Sequence, residues 1–128
     1  MPRGTQLSVV LANKPGEGAK LARALVRAKV NIQAISILDS AECGIVRLVT
    51  SSNAKAKQAL RKAKMTVIEH PVLLLRLVDQ PGAMAEVAAK LAAAKVNISF
   101  AYGSAAGPGK KSLVVLGVDD LAKAAKVV

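Results

Sequence analysis

Two short polar turns hold most of the residues in this sequence that could bind a charged ligand. They are Asn13-Lys-Pro-Gly16 and Asp79-Gln-Pro-Gly82, and each precedes a stretch with the apolar spacing of a helix. The first N–H groups of a helix have no partners within it, and the helix dipole favours an anion beside them. Asn13 or Asp79 can accept a hydrogen bond from an ammonium group, and the anionic Asp79 should do so more strongly. Each turn therefore offers donors for an anion and an acceptor for a cation.

The same turns also have a purely structural explanation. Asn/Asp-x-Pro-Gly reverses the chain and starts a helix well without any ligand. Asn31 and Asn97, which open predicted strands, can likewise serve only to bond the backbone of a loop. The double occurrence does not discriminate between these explanations, because a duplicated fold duplicates its structural turns too.

The remaining reactive side chains do not indicate a catalytic centre. His70 is the one histidine and precedes a proline, while Cys43, the one cysteine, has no histidine in a recognisable context. Paired carboxylates and clusters with metal-ligand spacing are not apparent. The segment at residues 105–111 lacks the phosphate-loop pattern and joins two predicted strands, so we expect a hairpin there. We therefore expect no enzymatic activity, no cofactor and no metal site.

The composition favours a soluble cytoplasmic protein. The net charge of +11 could attract nucleic acid, but the cations are spread over predicted helix faces and aromatics make up only 2% of the 128 residues. Nucleic-acid binding is therefore the weakest alternative. The apolar runs are shorter than the ~18 residues of a membrane span. A single cysteine fits a reducing compartment.

The sequence contains one unit twice, at an offset of 66 residues, as the spacing of the two turns shows. Lys29-Val-Asn-Ile32 returns unchanged as Lys95-Val-Asn-Ile98. Between the turn and this motif, the apolar positions of a helix match as well. We expect two domains, at residues 1–70 and 71–128.

Each copy predicts the element order βαββαβ of a ferredoxin-like domain, in the α+β class, with antiparallel sheets and helices on one face. In the first copy the strands fall at residues 7–12, 31–38, 45–50 and 65–69, with a second helix at 53–64. In the second they fall at 72–78, 97–102 and 112–118, and Asp119 or Asp120 can cap a final helix. The second copy lacks its last strand. We expect that the chain is incomplete or that a neighbouring chain covers the bare edge.

The strands themselves predict a homodimer. In a two-layer domain the helix-free face of the sheet should be polar if it meets water. Here both faces of the strands are apolar, since Val72, Leu74 and Val78 alternate with Leu73, Leu75 and Leu77. We therefore expect a second copy of the chain to cover sheet faces or edges.

The ordered motifs resemble the ACT domain, a regulatory module, and most closely the stand-alone tandem ACT proteins of bacteria. The resemblance spans about residues 7–128, and Glu17-Gly18 departs from it because the family usually has a larger residue after Pro-Gly. The motifs that carry it are Asn13-Lys-Pro-Gly16, Val30-Asn-Ile32, Ser36-Ile37, Asp39 and Gly44-Ile-Val-Arg-Leu48.

The resemblance implies a sensor of a free amino acid or a related metabolite, coupled to a regulated enzyme or transporter. In ACT pairs the ligand commonly lies between the helix-opening turn of one domain and the second strand of its neighbour. Carried onto this sequence, that site comprises Asn13, Lys14, Pro15, Gly16, Asn31 and Ile32, and Asp79, Gln80, Pro81, Gly82, Asn97 and Ile98, with Ser36 and Tyr102 as weaker candidates. The main alternative is a structural or protein-interaction module without a ligand.

Overall fold

The computed structural model describes residues 2–39 and 43–128 and contains six strands and four helices in those ranges. The connection at residues 40–42 lies outside the described residues. The elements are β1 (Arg3–Ala12), α1 (Glu17–Arg27), β2 (Ile32–Asp39), β3 (Cys43–Thr50), α2 (Asn53–Lys62), β4 (Thr66–Val78), α3 (Ala83–Ala93), β5 (Ile98–Ser104), β6 (Lys111–Val118) and α4 (Leu121–Val127).

The chain divides into two compact units. The amino-terminal unit is Gln6–His70, and the carboxy-terminal unit combines Pro71–Val128 with the residues up to Thr5. Strands β1 and β4 each contribute to both units. The sequence predicts two separate strands around Pro71, but β4 runs through it without a break. A proline fits extended backbone because its fixed φ lies within the β region.

The amino-terminal unit has the strand order β2-β3-β1-β4. Strand β3 pairs antiparallel with both β1 and β2. Alternate residues of β1 face one side and join residues of α1 and α2 in a single core, as the period of two in a strand requires. This core includes Leu7, Val9, Leu11, Leu21, Leu25, Val46, Leu48, Ala56 and Leu60. Both helices therefore cover one face, as predicted.

The carboxy-terminal unit repeats this arrangement with the order β1-β4-β6-β5. Strand β6 pairs antiparallel with both β4 and β5, and Leu73, Leu75, Val87, Leu91 and Leu116 form the core. The α+β, ferredoxin-like prediction is confirmed.

The fourth position of the carboxy-terminal sheet is filled by the amino-terminal end of the same chain. Among the described residues no strand follows α4, as expected. However, the Leu74 N–H donates to the Pro2 carbonyl at 2.7 Å, and a side chain at Gly4 would overlap that of Leu74. The sequence suggested an incomplete chain or a neighbouring chain at this edge, whereas the amino-terminal end of the same chain pairs with it. The amino-terminal segment is short and pairs with a strand about seventy residues away. Local sequence patterns therefore do not predict this pairing.

The helix ends follow ordinary capping chemistry. The Ser52 hydroxyl accepts from the Lys55 N–H at 3.3 Å, and the Asp120 carboxylate accepts from the Lys123 N–H at 3.0 Å. Of the two predicted caps for the last helix, Asp120 takes the role. No helix in the described residues is long and apolar enough to cross a membrane.

The apolar side chains of the strands differ in exposure between the two units. Val72 and Val115 lie on the strand side opposite the carboxy-terminal core, yet both are fully buried within the chain. On β2, Ile35, Ile37 and Leu38 are 46%, 67% and 50% exposed. Ile35 and Ile37 pair with Leu48 and Val46 of the core, so they lie on the helix-covered face, whereas Leu38 pairs with Ile45 on the other face. Exposed apolar side chains are thus present on both faces of β2, the last strand of its sheet.

Candidate functional site

The first helix-opening turn is an exposed loop shaped by its glycine. Gly16 caps α1 with φ of 93°, a left-handed conformation that residues with a side chain rarely adopt. No side chain caps α1, and a Cβ at Gly16 would meet no atom within 4 Å. The Lys14 N–H donates to the Ala12 carbonyl at 2.9 Å, and Pro15 follows, also exposed. The Glu17 N–H, the first of α1, donates to the Lys14 carbonyl at 3.5 Å, so the turn is closed by its own backbone and its side chains are exposed.

The Asn13 side chain links this turn to the end of β2. Its amide nitrogen donates to the Asp39 carboxylate at 2.9 Å. Strands β1 and β2 run parallel because both are antiparallel to β3, so their carboxyl ends lie at the same end of the sheet. The contact adds a carboxylate to the candidate site. Asp39 belongs to the motif that suggested the family, but sequence reasoning assigned it no binding role.

The second turn has the same backbone and a different set of partners. Gly82 caps α3 with φ of 90°. The Asp79 N–H donates to the Lys110 carbonyl at 2.7 Å, and the Asp79 carbonyl accepts from the Gly109 N–H at 3.0 Å. The Asp79 side chain is exposed, and within the described part of the chain its carboxylate has no hydrogen bond or salt bridge.

The segment at residues 105–111 is the connection between antiparallel strands β5 and β6, as expected for a hairpin. Gly107 and Gly109 have φ of 114° and 75°, so the loop uses both glycines for left-handed backbone. The Ala106 N–H donates to the Ser112 hydroxyl at 3.1 Å. Together with its two bonds to Asp79, this fixes the loop against the second turn.

Asn31 and Asn97 are held through their backbones at the opposite end of each sheet. The Asn31 N–H donates to the Ser51 hydroxyl at 2.9 Å, and the Asn97 N–H donates to the Asp119 carboxylate at 2.9 Å. Strand β2 has 8 residues and Asn31 precedes it, so Asn31 lies roughly 26 Å from Asp39, beside the turn, at ~3.3 Å per residue. Within one unit, the structure does not bring these asparagines together with the turns.

The isoleucines that follow the two asparagines contact the cores. Ile32 packs against the amino-terminal core and Ile98 against the carboxy-terminal core. Both side chains are half-buried. Their clearest role is therefore in packing the start of the second strand.

Ser36 and Tyr102 occupy matching positions with opposite surroundings. Ser36 lies beside Arg47, which lies beside Ser8 on the next strand. Tyr102 lies beside Val115, which lies beside Leu74, and its ring stacks on Phe100 with centroids 6.3 Å apart. These three neighbouring side chains are polar and cationic in the amino-terminal unit and apolar in the carboxy-terminal unit.

A cavity of about 350 Å³ opens beside the second turn, within the carboxy-terminal unit. Its residues combine an apolar wall from β4 and α3 with opposite charges on α3. The Glu86 carboxylate and the Lys90 ammonium lie 3.5 Å apart. The described lining is Leu75, Arg76, Leu77, Val78, Gln80, Ala83, Glu86, Val87, Lys90 and Val128.

Gln80 is the one member of this lining that the sequence placed in a binding site. Glu86 and Lys90 are separated by one helical turn and have the spacing of an ordinary surface ion pair. That spacing gave no reason to assign them a ligand. Their positions about one and two turns after Gly82, on the same helix, are the signal that could have identified them.

The two residues considered for catalysis, His70 and Cys43, differ in exposure. His70 is exposed and Cys43 is half-buried. In residues 2–39 and 43–128, no group of three or more His, Cys, Asp and Glu side chains could hold a metal ion.

One family model and several known proteins are similar to this chain. The profile of the ACT domain pair matches residues 4–128. D-3-phosphoglycerate dehydrogenase 3, chloroplastic, from Arabidopsis thaliana is 42% identical over 53 residues, which are 41% of this chain and 9% of that protein. The chain thus matches only a small part of that curated relative.

Two solved structures cover nearly the whole chain. A crystal structure of a protein from Bacteroides thetaiotaomicron superposes with a TM-score of 0.90 and 29% identity, covering 98% of this chain and 86% of that one. The regulatory subunit of aspartate kinase from Thermus thermophilus, in its ligand-free form, gives a TM-score of 0.66 and 15% identity, covering 98% and 92%. The second likeness is one of fold alone.

Proposed function

The chain belongs to the family of ACT domain pairs, and from this premise we propose that it is a non-enzymatic regulatory module that binds a free amino acid or a closely related metabolite. The proposal places it in the cytoplasm, where ligand binding changes how its domains pair and a regulated enzyme or transporter responds. The names of two similar proteins support an enzyme as partner, since one is a dehydrogenase and the other a regulatory subunit of a kinase.

The cavity beside the second turn is the observation that carries the proposal. An α-amino acid presents an ammonium and a carboxylate on neighbouring atoms, so its site needs both charges close together. Glu86 and Lys90 supply them, with the exposed Asp79 carboxylate on the adjoining turn. A volume of about 350 Å³ lies within the range of small-molecule sites.

The apolar wall of the cavity would contact the side chain of the bound amino acid. Leu77 and Val87 line the cavity, and Leu75 adds a residue that is buried in the core. Burial of apolar surface contributes roughly 25 cal/mol per Å² removed from water. We therefore favour an amino acid with an aliphatic side chain over a strongly polar one.

The two units need not bind equally. In the amino-terminal unit the turn holds neutral Asn13, already bonded to the Asp39 carboxylate. In the carboxy-terminal unit the turn itself holds the carboxylate of Asp79. A charged acceptor binds an ammonium more strongly than a neutral one. The carboxy-terminal site should therefore be the tighter of the two.

A thermal-shift screen against the twenty amino acids, followed by calorimetry of each hit, tests the proposal. A ligand present at a hundred times its Kd should stabilise the protein by about 2.7 kcal/mol. If none of the amino acids raises Tm or gives heat on titration, the proposed ligand class is wrong.

Variants of the cavity then test the assignment of the site. Asp79→Ala and Glu86→Gln should each weaken binding at least tenfold, about 1.4 kcal/mol, while circular dichroism stays unchanged. Glu17→Gln is the matched control, because it removes a carboxylate that is outside the cavity lining. Equal affinity in all three variants would place the ligand elsewhere.

An assembly module without a ligand is the second candidate. The exposed Ile35 and Ile37 on the last strand of the amino-terminal sheet favour it, since such edges pair readily with other chains. Stable self-association in the absence of any hit from the amino-acid screen would support this candidate over the sensor.

A further inference from the structure

A second cavity lies between α1 and α2 of the amino-terminal unit. Its volume is about 470 Å³. Its floor consists of alanines, and longer polar side chains stand at its rim. The described lining is Ala24, Arg27, Ala28, Lys55, Gln58, Ala59, Lys62 and Ala63. On α1 this cavity is lined only by residues near the carboxyl end of the helix, and it shares no residue with the proposed amino-acid sites at the two turns.

The rim of this cavity, which we call the α1–α2 groove, is strongly cationic. Arg27, Lys55 and Lys62 contribute three positive charges, and its described lining includes no Asp or Glu. The salt bridge that α2 makes uses Lys57 and Glu69, neither of which lines the groove. The three cations therefore repel one another across the groove without a neutralising partner in it.

The helix dipole stabilises two of these cations at their positions but does not stabilise the third. Arg27 and Lys62 lie in the last turns of their helices, where the dipole favours positive charge. Lys55 lies in the first turn of α2, where the dipole disfavours it, and that turn contains no acidic residue. The fold alone thus gives no stabilising reason for a cation at this position. An anion bound beside Lys55 would interact favourably both with the ammonium group and with the amino terminus of α2.

The duplicated unit does not repeat the set. Lys123 stands three residues after the cap of α4, as Lys55 does after Ser52. Sixty-six residues after Arg27, however, the sequence has Ala93. The combination of an arginine and lysines around one groove is therefore a property of the amino-terminal unit and not a requirement of the fold.

We infer that the α1–α2 groove binds a small molecule bearing two or more linked phosphates, such as a nucleoside diphosphate or triphosphate. Lys55 and Lys62 are separated by seven residues, roughly 10 Å along the helix axis, which suits an extended polyanion better than a single carboxylate. Arg27 can donate two parallel hydrogen bonds to one phosphate, and the lysines act as mobile point charges on the others.

The rest of such a ligand would meet the alanine floor. Ala59 on α2, and Ala28 and Ala63 at the carboxyl caps of α1 and α2, present methyl groups and leave room for a flat ring or a sugar to approach both helices. Gln58 supplies an amide that can both donate and accept. The inferred ligand differs from an amino acid in chemistry and in site, so this inference stands or falls independently of the proposed function.

Calorimetric titration of the full chain with ATP, pyrophosphate, citrate and adenosine at near-physiological salt tests the inference. ATP and pyrophosphate should bind, with affinity that falls as salt is added. Adenosine should not bind measurably on its own. If citrate binds as tightly as pyrophosphate, or if neither phosphate compound binds, the inference is wrong.

Two double variants locate the binding. Arg27→Gln with Lys55→Gln removes one cation of the groove from each helix, and it should weaken ATP binding at least tenfold. Lys20→Gln with Arg61→Gln removes the same charge from the same two helices outside the lining, and it should change affinity less than twofold. Tm of each variant shows that it is folded. Equal losses in both pairs would indicate nonspecific attraction to a basic protein and overturn the inference.

Discussion

The amino-terminal end of the chain should stabilise the carboxy-terminal unit, and a single methyl group can test this. The backbone of Pro2 accepts from Leu74, and a Cβ at Gly4 would overlap the Leu74 side chain. Gly4→Ala therefore forces Leu74 off its rotamer or moves the strand, at about 1–3 kcal/mol for overpacking. The more restricted unfolded chain offsets about 0.4–1 kcal/mol of this cost. We expect a net loss of roughly 1 kcal/mol.

Gly18→Ala is the same substitution at a position where we expect it to raise the free energy of unfolding. Gly18 lies in α1, and a Cβ there would meet no atom within 4 Å. Alanine in a helix is favoured over glycine by about 0.5–1 kcal/mol. Urea denaturation followed by circular dichroism should show the two variants moving in opposite directions. For a unit of this size, 1 kcal/mol corresponds to about 4–8 °C in Tm.

A double-mutant cycle identifies the cause of the Gly4→Ala effect. Leu74→Ala removes the side chain that the new methyl would meet, so Gly4→Ala should cost nothing further in that background. If Gly4→Ala is neutral or stabilising in the native background, the segment does not pack on β4. If its cost persists after Leu74→Ala, the contact is not the source of the cost.

Three further measurements test other parts of the structure. Ser52→Ala should lower the free energy of unfolding by about 1 kcal/mol, because α2 loses its cap. Ser99→Ala, at an exposed position on β5, is the control and should leave it nearly unchanged; denaturant titration measures both. Gly117→Ala should lower the free energy of unfolding by about 1–3 kcal/mol, because the Phe100 ring occupies the place of the new methyl group. A variant of unchanged stability with the ring in its original position would contradict this prediction. Size exclusion with light scattering should give a dimer through the exposed edge of β2, and a species of 13.2 kDa would contradict that expectation.

The duplication and the element order could be predicted because they depend on local patterns. The turn, the apolar helix positions and the Lys-Val-Asn-Ile motif each occur twice, and each determines structure within a few residues. The strand formed by Arg3–Thr5 could not be predicted in the same way, since its short sequence has little β character and its partner, Leu74, is far along the chain. Non-local pairings of this kind leave no periodic signal.

The candidate site was predicted only where its residues are contiguous in sequence. Gln80 lines the carboxy-terminal cavity as expected for a turn residue. Glu86 and Lys90 had the spacing of a surface pair, and only the packing of α3 beside the turn shows that they line a cavity. Asn97 was grouped with this turn through family resemblance, and the strand directions show that one unit holds them at opposite ends of its sheet.

Both copies have one carboxylate beside the helix-opening turn, but a different residue provides it in each copy. In the amino-terminal unit the carboxylate beside the turn comes from Asp39 at the end of β2, and the turn itself provides Asn13. In the carboxy-terminal unit the turn provides Asp79, and the residue equivalent to Asp39 is Ala105. In both units the turn itself is defined by its glycine conformation and by backbone hydrogen bonds. One carboxylate at each turn, contributed by different residues, is what the proposed function requires if each unit binds the ammonium group of an amino acid.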